Sequence, residues 1–234
     1  MPRRPDAPVA ASVVPDGGPL GLLLPYTPLH VLLVRAINRP LVLTRANVAG
    51  EPLVCDDDQA LDRLAGIADA FLIHDRRIAV RADDSVVTVA AGRPVPLRRS
   101  RGYVPLPVTL PVASPVPLLA CGPVNKATVC IVREGEAFLS AHLGDLTNLR
   151  TSQAYGEAVT HLQSLVGVTP QVLVHDLHPD YPSTRYAQEQ PVTRRLGVQH
   201  HHAHIASCLA DNAHAGPVLG VAFDGLGLGD GEQA

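Results

Sequence analysis

Val198-Gln199-His200-His201-His202-Ala203-His204, followed further on by Val218-Leu219-Gly220-Val221-Ala222-Phe223-Asp224-Gly225, reads as strand, helix and strand. Residues 197–199 form a strand that feeds the histidines, residues 200–209 form the helix behind it, and residues 217–223 form a last apolar strand. Side chains four apart on a helix share a face, so His200 and His204 can turn ring nitrogens to one point. Asp224 stands where the apolar run ends, beside a glycine. Two imidazoles and a carboxylate suit a divalent metal with coordination positions left open for a substrate. The competing reading is a solvated histidine run, or His202 and His204 as ordinary packed side chains. An i, i+4 histidine pair at a strand-to-helix junction, followed by a strand ending in Asp-Gly, favours the site.

Working outward, residues 171–175 are a strand with Asp176-Leu177-His178-Pro179 at its carboxyl end. A helix from about Ser152 carries Tyr155, Val159, Leu162 and Val166 on one side, and Gly167 ends it. Residues 118–120, 128–132 and 137–141 are strands, the first two flanking the loop Gly122-Pro123-Val124-Asn125-Lys126-Ala127. Residues 105–117 hold five prolines without a helical period and read as a stiff linker. Before it, Pro28 starts a helix capped by Thr27, with Leu29, Leu32, Leu33 and Ile37 as its apolar positions. Residues 41–44 read as a short buried strand, 70–73 as a strand ending at His74-Asp75, and 86–89 as another, turning at Gly92-Arg93. Asp56-Asp57-Asp58 caps a helix with Ala60, Leu61, Leu64 and Ile67 on its apolar face. Alternating strands and helices predict an α/β class on both sides of the linker, dividing the chain into 1–104, 105–117 and 118–234.

The chain of 234 residues is 46% apolar and 18% charged, but aromatics make up 3% and tryptophan is absent, so Val, Leu and Ala must build the core. A net charge of −3 gives no general attraction to double-stranded DNA or RNA or to anionic membranes. Cys55, Cys121, Cys130 and Cys208 form no C-x-x-C pair and read as reduced thiols of a cytoplasmic protein. No signal peptide is visible, and Pro25, Pro28 and His30 interrupt the apolar stretch 20–34 well short of a membrane span.

The histidine cluster, Asp176-Leu177-His178-Pro179-Asp180-Tyr181, Gly144-Asp145-Leu146 and Leu24-Pro25-Tyr26-Thr27-Pro28-Leu29-His30 together resemble HypF-type carbamoyltransferases, which make the cyanide ligands of [NiFe] hydrogenases. Asp83-Asp84-Ser85-Val86 and Arg98-Arg99-Ser100-Arg101-Gly102-Tyr103-Val104-Pro105 fit the same family. The resemblance implies the carboxyl-terminal half of a YrdC-like domain joined to the amino-terminal part of a TsaD-like domain of the actin-like ATPase superfamily. It implies ATP and a divalent metal (Zn, Fe or Mg) as cofactors. It further implies a carbamoyl group derived from carbamoyl phosphate, and a HypE-like protein whose terminal cysteine receives it. Thr44 and Asn47 match the family's nucleotide loop, with Ser85 and Arg99 at nearby polar positions of that pocket. Lys126 and Thr128 match a Lys-Asn-Thr motif, His200 and His204 the metal-binding pair, and Asp224 the aspartate facing nucleotide phosphate and metal.

The sequence departs from the family pattern where anions would be held. Arg45 and Ala49 replace serines, Ala127 replaces an asparagine, and Leu226 and Leu228 replace a threonine and a tyrosine. Stretches matching the family's acylphosphatase domain and zinc-finger pair are not in this sequence, and both halves read as cut. The expectation is a truncated carbamoyltransferase, inactive alone and with no catalytic residue assigned. The alternative is a non-catalytic gene remnant or a partner-binding fragment.

Overall fold

The computed structural model describes residues 6, 9–14, 18–225 and 228. The chain divides into two units, Met1–Arg45 and Ala46–Ala234. In the first, α1 (Pro28–Ile37) begins with proline, which needs no donor there, and the Thr27 hydroxyl accepts the His30 N–H at 3.1 Å. Asn38 ends the helix in the left-handed region and donates to the Val34 carbonyl. The expected strand at 41–44 does not form. Val42 and Leu43 are 77% and 57% exposed, and an apolar run becomes a strand only where a ladder partner lies beside it.

In the second unit, α2 (Asp57–Leu64) starts under an Asp56 carboxylate that accepts the Gln59 N–H, with Asp57 and Asp58 in its first turn. Leu64 is buried, whereas Ile67 lies beyond the helix and is exposed. The expected strand at 70–73 is absent for the same reason as the first: Leu72 and Ile73 face solvent without a ladder. β1 (Val86–Ala90) and β2 (Arg93–Arg98) form a hairpin closed by Ala91 and Gly92, both at positive φ, the geometry that matches strand twist in a two-residue turn.

The main sheet has six strands: β3 (Val108–Thr109), β4 (Leu118–Ala120), β5 (Cys130–Arg133), β6 (Glu136–Leu139), β7 (Val172–Asp176) and β8 (Arg194–Val198). Their order is β3-β6-β5-β4-β7-β8. The contacts from β3 to β4 are antiparallel, while β4, β7 and β8 run parallel. The proline-rich stretch thus supplies an edge strand, where a missing N–H is tolerated. α3 (Leu149–Val166) is capped by Asn148 and ended by Gly167 at φ 70°. Its Tyr155, Val159, Leu162 and Val166 share one apolar core with Leu119, Ile131 and Leu173 of the sheet. α4 (Pro182–Glu189) crosses from β7 to β8, and α5 (His200–Asp211) follows β8.

The strand expected at 217–223 is not formed, although the segment lies against α5: a Cβ on Gly220 would come within 2.6 Å of Ile205. Leu219 and Phe223 are 96% and 98% exposed, so the apolar pattern is real but no described strand pairs with it. Among the described residues no helix is long and apolar enough to cross a membrane.

Burial pushes the Cys121 thiol up to about 11, with a hydrogen bond to Tyr155 partly opposing it, and the Cys130 thiol up to about 12. Below the ordinary value of 9.0 both thiols are protonated whether folded or unfolded, so their contribution is constant. Above it the unfolded chain ionises first and gains stability. The urea midpoint should therefore hold steady up to about pH 9 and fall as pH approaches 11 to 12. A Cys121→Ala, Cys130→Ala variant should show a shallower fall.

Candidate metal centre

β7 and β8 pair in parallel with Asp176 opposite Val198, so two strands end level with each other. Beyond β7 the chain turns at Leu177-His178. Beyond β8 it enters α5 through Gln199, whose side-chain oxygen accepts the His202 N–H at 2.7 Å and caps the helix. His200 and His204 then sit one turn apart, ring centroids 4.8 Å from each other.

Both imidazoles aim Nε2 at one oxygen: Asp224 Oδ2 lies 3.0 Å from His200 and 3.3 Å from His204. The three ligand atoms all lie within 4.8 Å of one another. For bonds of about 2.1 Å, neighbouring ligands of one ion are roughly 3 to 3.5 Å apart; the two separations from Asp224 match this, and the wider remaining separation must shorten for all three groups to hold one ion. The other Asp224 oxygen accepts the Gly225 N–H at 2.8 Å. That bond foremost, with His204 and His200, holds the carboxyl below the usual carboxylate range against partial loss of solvent.

Asp176 also belongs to the cluster, a residue that motif spacing alone did not single out. Its Oδ2 is 2.6 Å from His200 Nδ1 and its side chain is 8% exposed. Tyr181 stacks on His178 at 4.2 Å. Its phenol is raised above the ordinary value by lost solvent, then by the Asp176 and Asp224 carboxylates. Only the β7–β8 register brings these residues to the histidines, which is why periodicity missed them.

The other expected site residues are elsewhere. Thr44 is exposed in the first unit. In the second unit, Asn47 donates both its side-chain hydrogen bonds within its own loop, to the Val48 and Glu51 carbonyls. Ser85 donates to the Arg101 carbonyl and accepts the Ser100 N–H, clipping the hairpin base. Arg99 reaches the Leu106 carbonyl and lies 5.7 Å over the Tyr103 ring. Lys126 is exposed at φ 53°, and half-buried Thr128 presses its carbonyl so closely on Gly122 that a Cβ there would clash. Ala127 is fully buried in the core. Leu228 accepts from Gln199 through its carbonyl, and Leu226 lies outside the described residues.

Comparison with known proteins places this geometry in a class. Residues 113–211 match the family model described as HypF Kae1-like domain. Residues 1–100 match the Sua5/YciO/YrdC model, described as telomere recombination. The chain is therefore an α/β protein that joins a YrdC-like portion to a portion of a Kae1-like, or TsaD-like, domain.

More narrowly, it is of the HypF type. It is 49% identical over 96% of its length to carbamoyltransferase HypF2 of Cupriavidus necator and 47% identical over 93% to carbamoyltransferase HypF of Synechocystis. It spans 30% and 28% of the length of those two relatives. A full-length HypF in a phosphate- and nucleotide-bound form superposes with a TM-score of 0.86 at 43% identity, covering 90% of this chain and 33% of that one. The HypF of T. kodakarensis gives 0.73 at 36% identity, over 79% and 25%.

The donor set makes metal binding a testable expectation. The chain should take up Zn²⁺, and a His200→Ala, His204→Ala variant should bind it at least about tenfold more weakly, read by chelator competition. Metal-binding nitrogens must be unprotonated, so affinity should fall on acidification. Equal zinc affinity in the double variant would remove these residues from the site.

Proposed function

We propose that this chain supplies part of a HypF-type carbamoyltransferase. Its YrdC-like portion, 1–104, would take part in ATP-dependent activation of the carbamoyl group from carbamoyl phosphate. Its Kae1-like portion, 118–234, would pass that group toward the carboxyl-terminal cysteine of a HypE-like protein, for hydrogenase cyanide-ligand synthesis. The observation that carries this reading is the convergence of His200, His204 and Asp224 in a chain 49% identical to a carbamoyltransferase. A nucleotide- and phosphate-bound relative supports ATP as the nucleotide. Free cysteines support a reducing, cytoplasmic setting, and the net charge of −3 gives no reason to expect nucleic acid or membrane as a partner.

His200, His204 and Asp224 would hold the divalent ion, Zn, Fe or Mg. When bound, it supplies Lewis-acid polarisation of an anionic oxygen. Exposed Lys126 offers a cation for phosphate at the tip of a loop whose close Gly122 to Thr128 approach fixes its shape. The residues matching the nucleotide loop contribute less, because the Asn47 amide already donates to the Val48 and Glu51 carbonyls and the Ser85 hydroxyl to the Arg101 carbonyl. That engagement favours a second reading, in which the chain binds its partner without catalysis.

A pyrophosphate-release assay with ATP, with and without carbamoyl phosphate, tests both readings. The chain alone should show no carbamoyl-phosphate-dependent turnover and should not carbamoylate a HypE-like cysteine. A chimera carrying this chain in place of the matching segment of Cupriavidus HypF2 should turn over within about tenfold of the parent, a barrier change of about 1.4 kcal/mol. An inactive but folded chimera would decide for the non-catalytic reading.

A further inference from the structure

We propose that Asp176 is a positioning residue for the metal centre. Its carboxylate holds the proton of His200 on Nδ1 and so turns Nε2 into the donor that faces the ion. This rests on the metal-binding reading of His200, His204 and Asp224. Asp176 is the last residue of β7, in register with Val198, two residues before His200. One carboxylate oxygen accepts the His178 N–H at 2.9 Å, which fixes the carboxylate plane. The backbone carbonyl of the same residue accepts the Thr184 hydroxyl of α4 at 3.1 Å. The remaining carboxylate oxygen meets His200 Nδ1 at 2.6 Å, with the two side chains 8% and 16% exposed.

An ionised carboxylate only accepts hydrogen bonds, so the hydrogen between these atoms is on Nδ1. A neutral imidazole then carries its lone pair on Nε2. That lone pair faces Asp224 Oδ2, another acceptor, at 3.0 Å. With the ring neutral these two acceptors repel unless a proton or a metal ion joins them, so a metal can complete the arrangement in the place that the second proton of an imidazolium would otherwise take. Without Asp176, His200 can place its proton on Nε2 and donate directly to Asp224, closing the pair against the ion. Asp176 thus biases the pair from a hydrogen bond toward a cation site, as a carboxylate behind a ligating histidine does. Thr184 and the His178 backbone hold Asp176 in turn, so β7, α4 and the following loop all bear on the direction of one ring nitrogen.

The test uses the full chain and Zn²⁺ alone. Zinc affinity is measured by chelator competition for wild type, Asp176→Ala and Asp176→Asn. The His200 tautomer is read from ¹⁵N imidazole spectra of the wild type with zinc. Asp176→Ala should weaken binding about 10- to 100-fold, and Asp176→Asn, whose carbonyl still accepts from Nδ1–H, should fall between. The wild-type spectrum should show Nδ1 protonated and Nε2 bound to metal. Wild-type binding with Asp176→Ala within threefold would overturn the positioning role while leaving the metal reading intact. A proton on Nε2 in wild type would overturn it without any variant, which covers the case of a variant that does not fold. No zinc binding by wild type would sink the metal reading, and this proposal with it.

Discussion

Parallel pairing of β7 with β8 places Asp176 and Val198 side by side, and the chain leaves both strands from that level. The loop from β7 returns through α4 and the chain from β8 continues into α5, so a carboxylate and a helical histidine pair meet at the carboxyl ends of neighbouring strands. Open α/β sheets place ligands at this position because side chains from separate crossovers converge there. The core that keeps the strands in register lies behind it, where Leu119, Ile131 and Leu173 pack with Tyr155 and Val159 of α3. Loss of that packing would disturb the β7–β8 register and, with it, the meeting of Asp176 and His200.

Two glycines set the close approaches that the site needs. A Cβ on Gly197 would come within 2.6 Å of Leu177, so a bare residue on β8 leaves room for the side chain that follows Asp176. A Cβ on Gly220 would come equally close to Ile205 on α5, and its absence lets the segment bearing Asp224 lie along the helix. The Gly225 N–H then keeps Asp224 ionised and aimed.

Much of this was legible in the sequence. His200 and His204 announce their convergence by spacing, because helix geometry is local. The Thr27 and Asp56 caps and the αL glycine after Val166 were readable for the same reason. Apolar runs at 41–44, 70–73 and 217–223 misled, because a strand depends on a partner that composition does not contain. α4 went unread because it buries Ser183, Thr184 and Ala187, small residues that leave no hydrophobic stripe. The engagement of Asp176 with His200 was hidden because 24 residues separate them and only the strand register joins them.

The central claim is that His200, His204 and Asp224 are three ligands of one ion. Anomalous diffraction at the zinc edge, from crystals of the chain grown with Zn²⁺, tests it most directly. The account predicts a single strong peak about 2.0–2.2 Å from His200 Nε2, His204 Nε2 and an Asp224 carboxylate oxygen. Density without a peak there, with His200 Nε2 donating a hydrogen bond to Asp224, would contradict it.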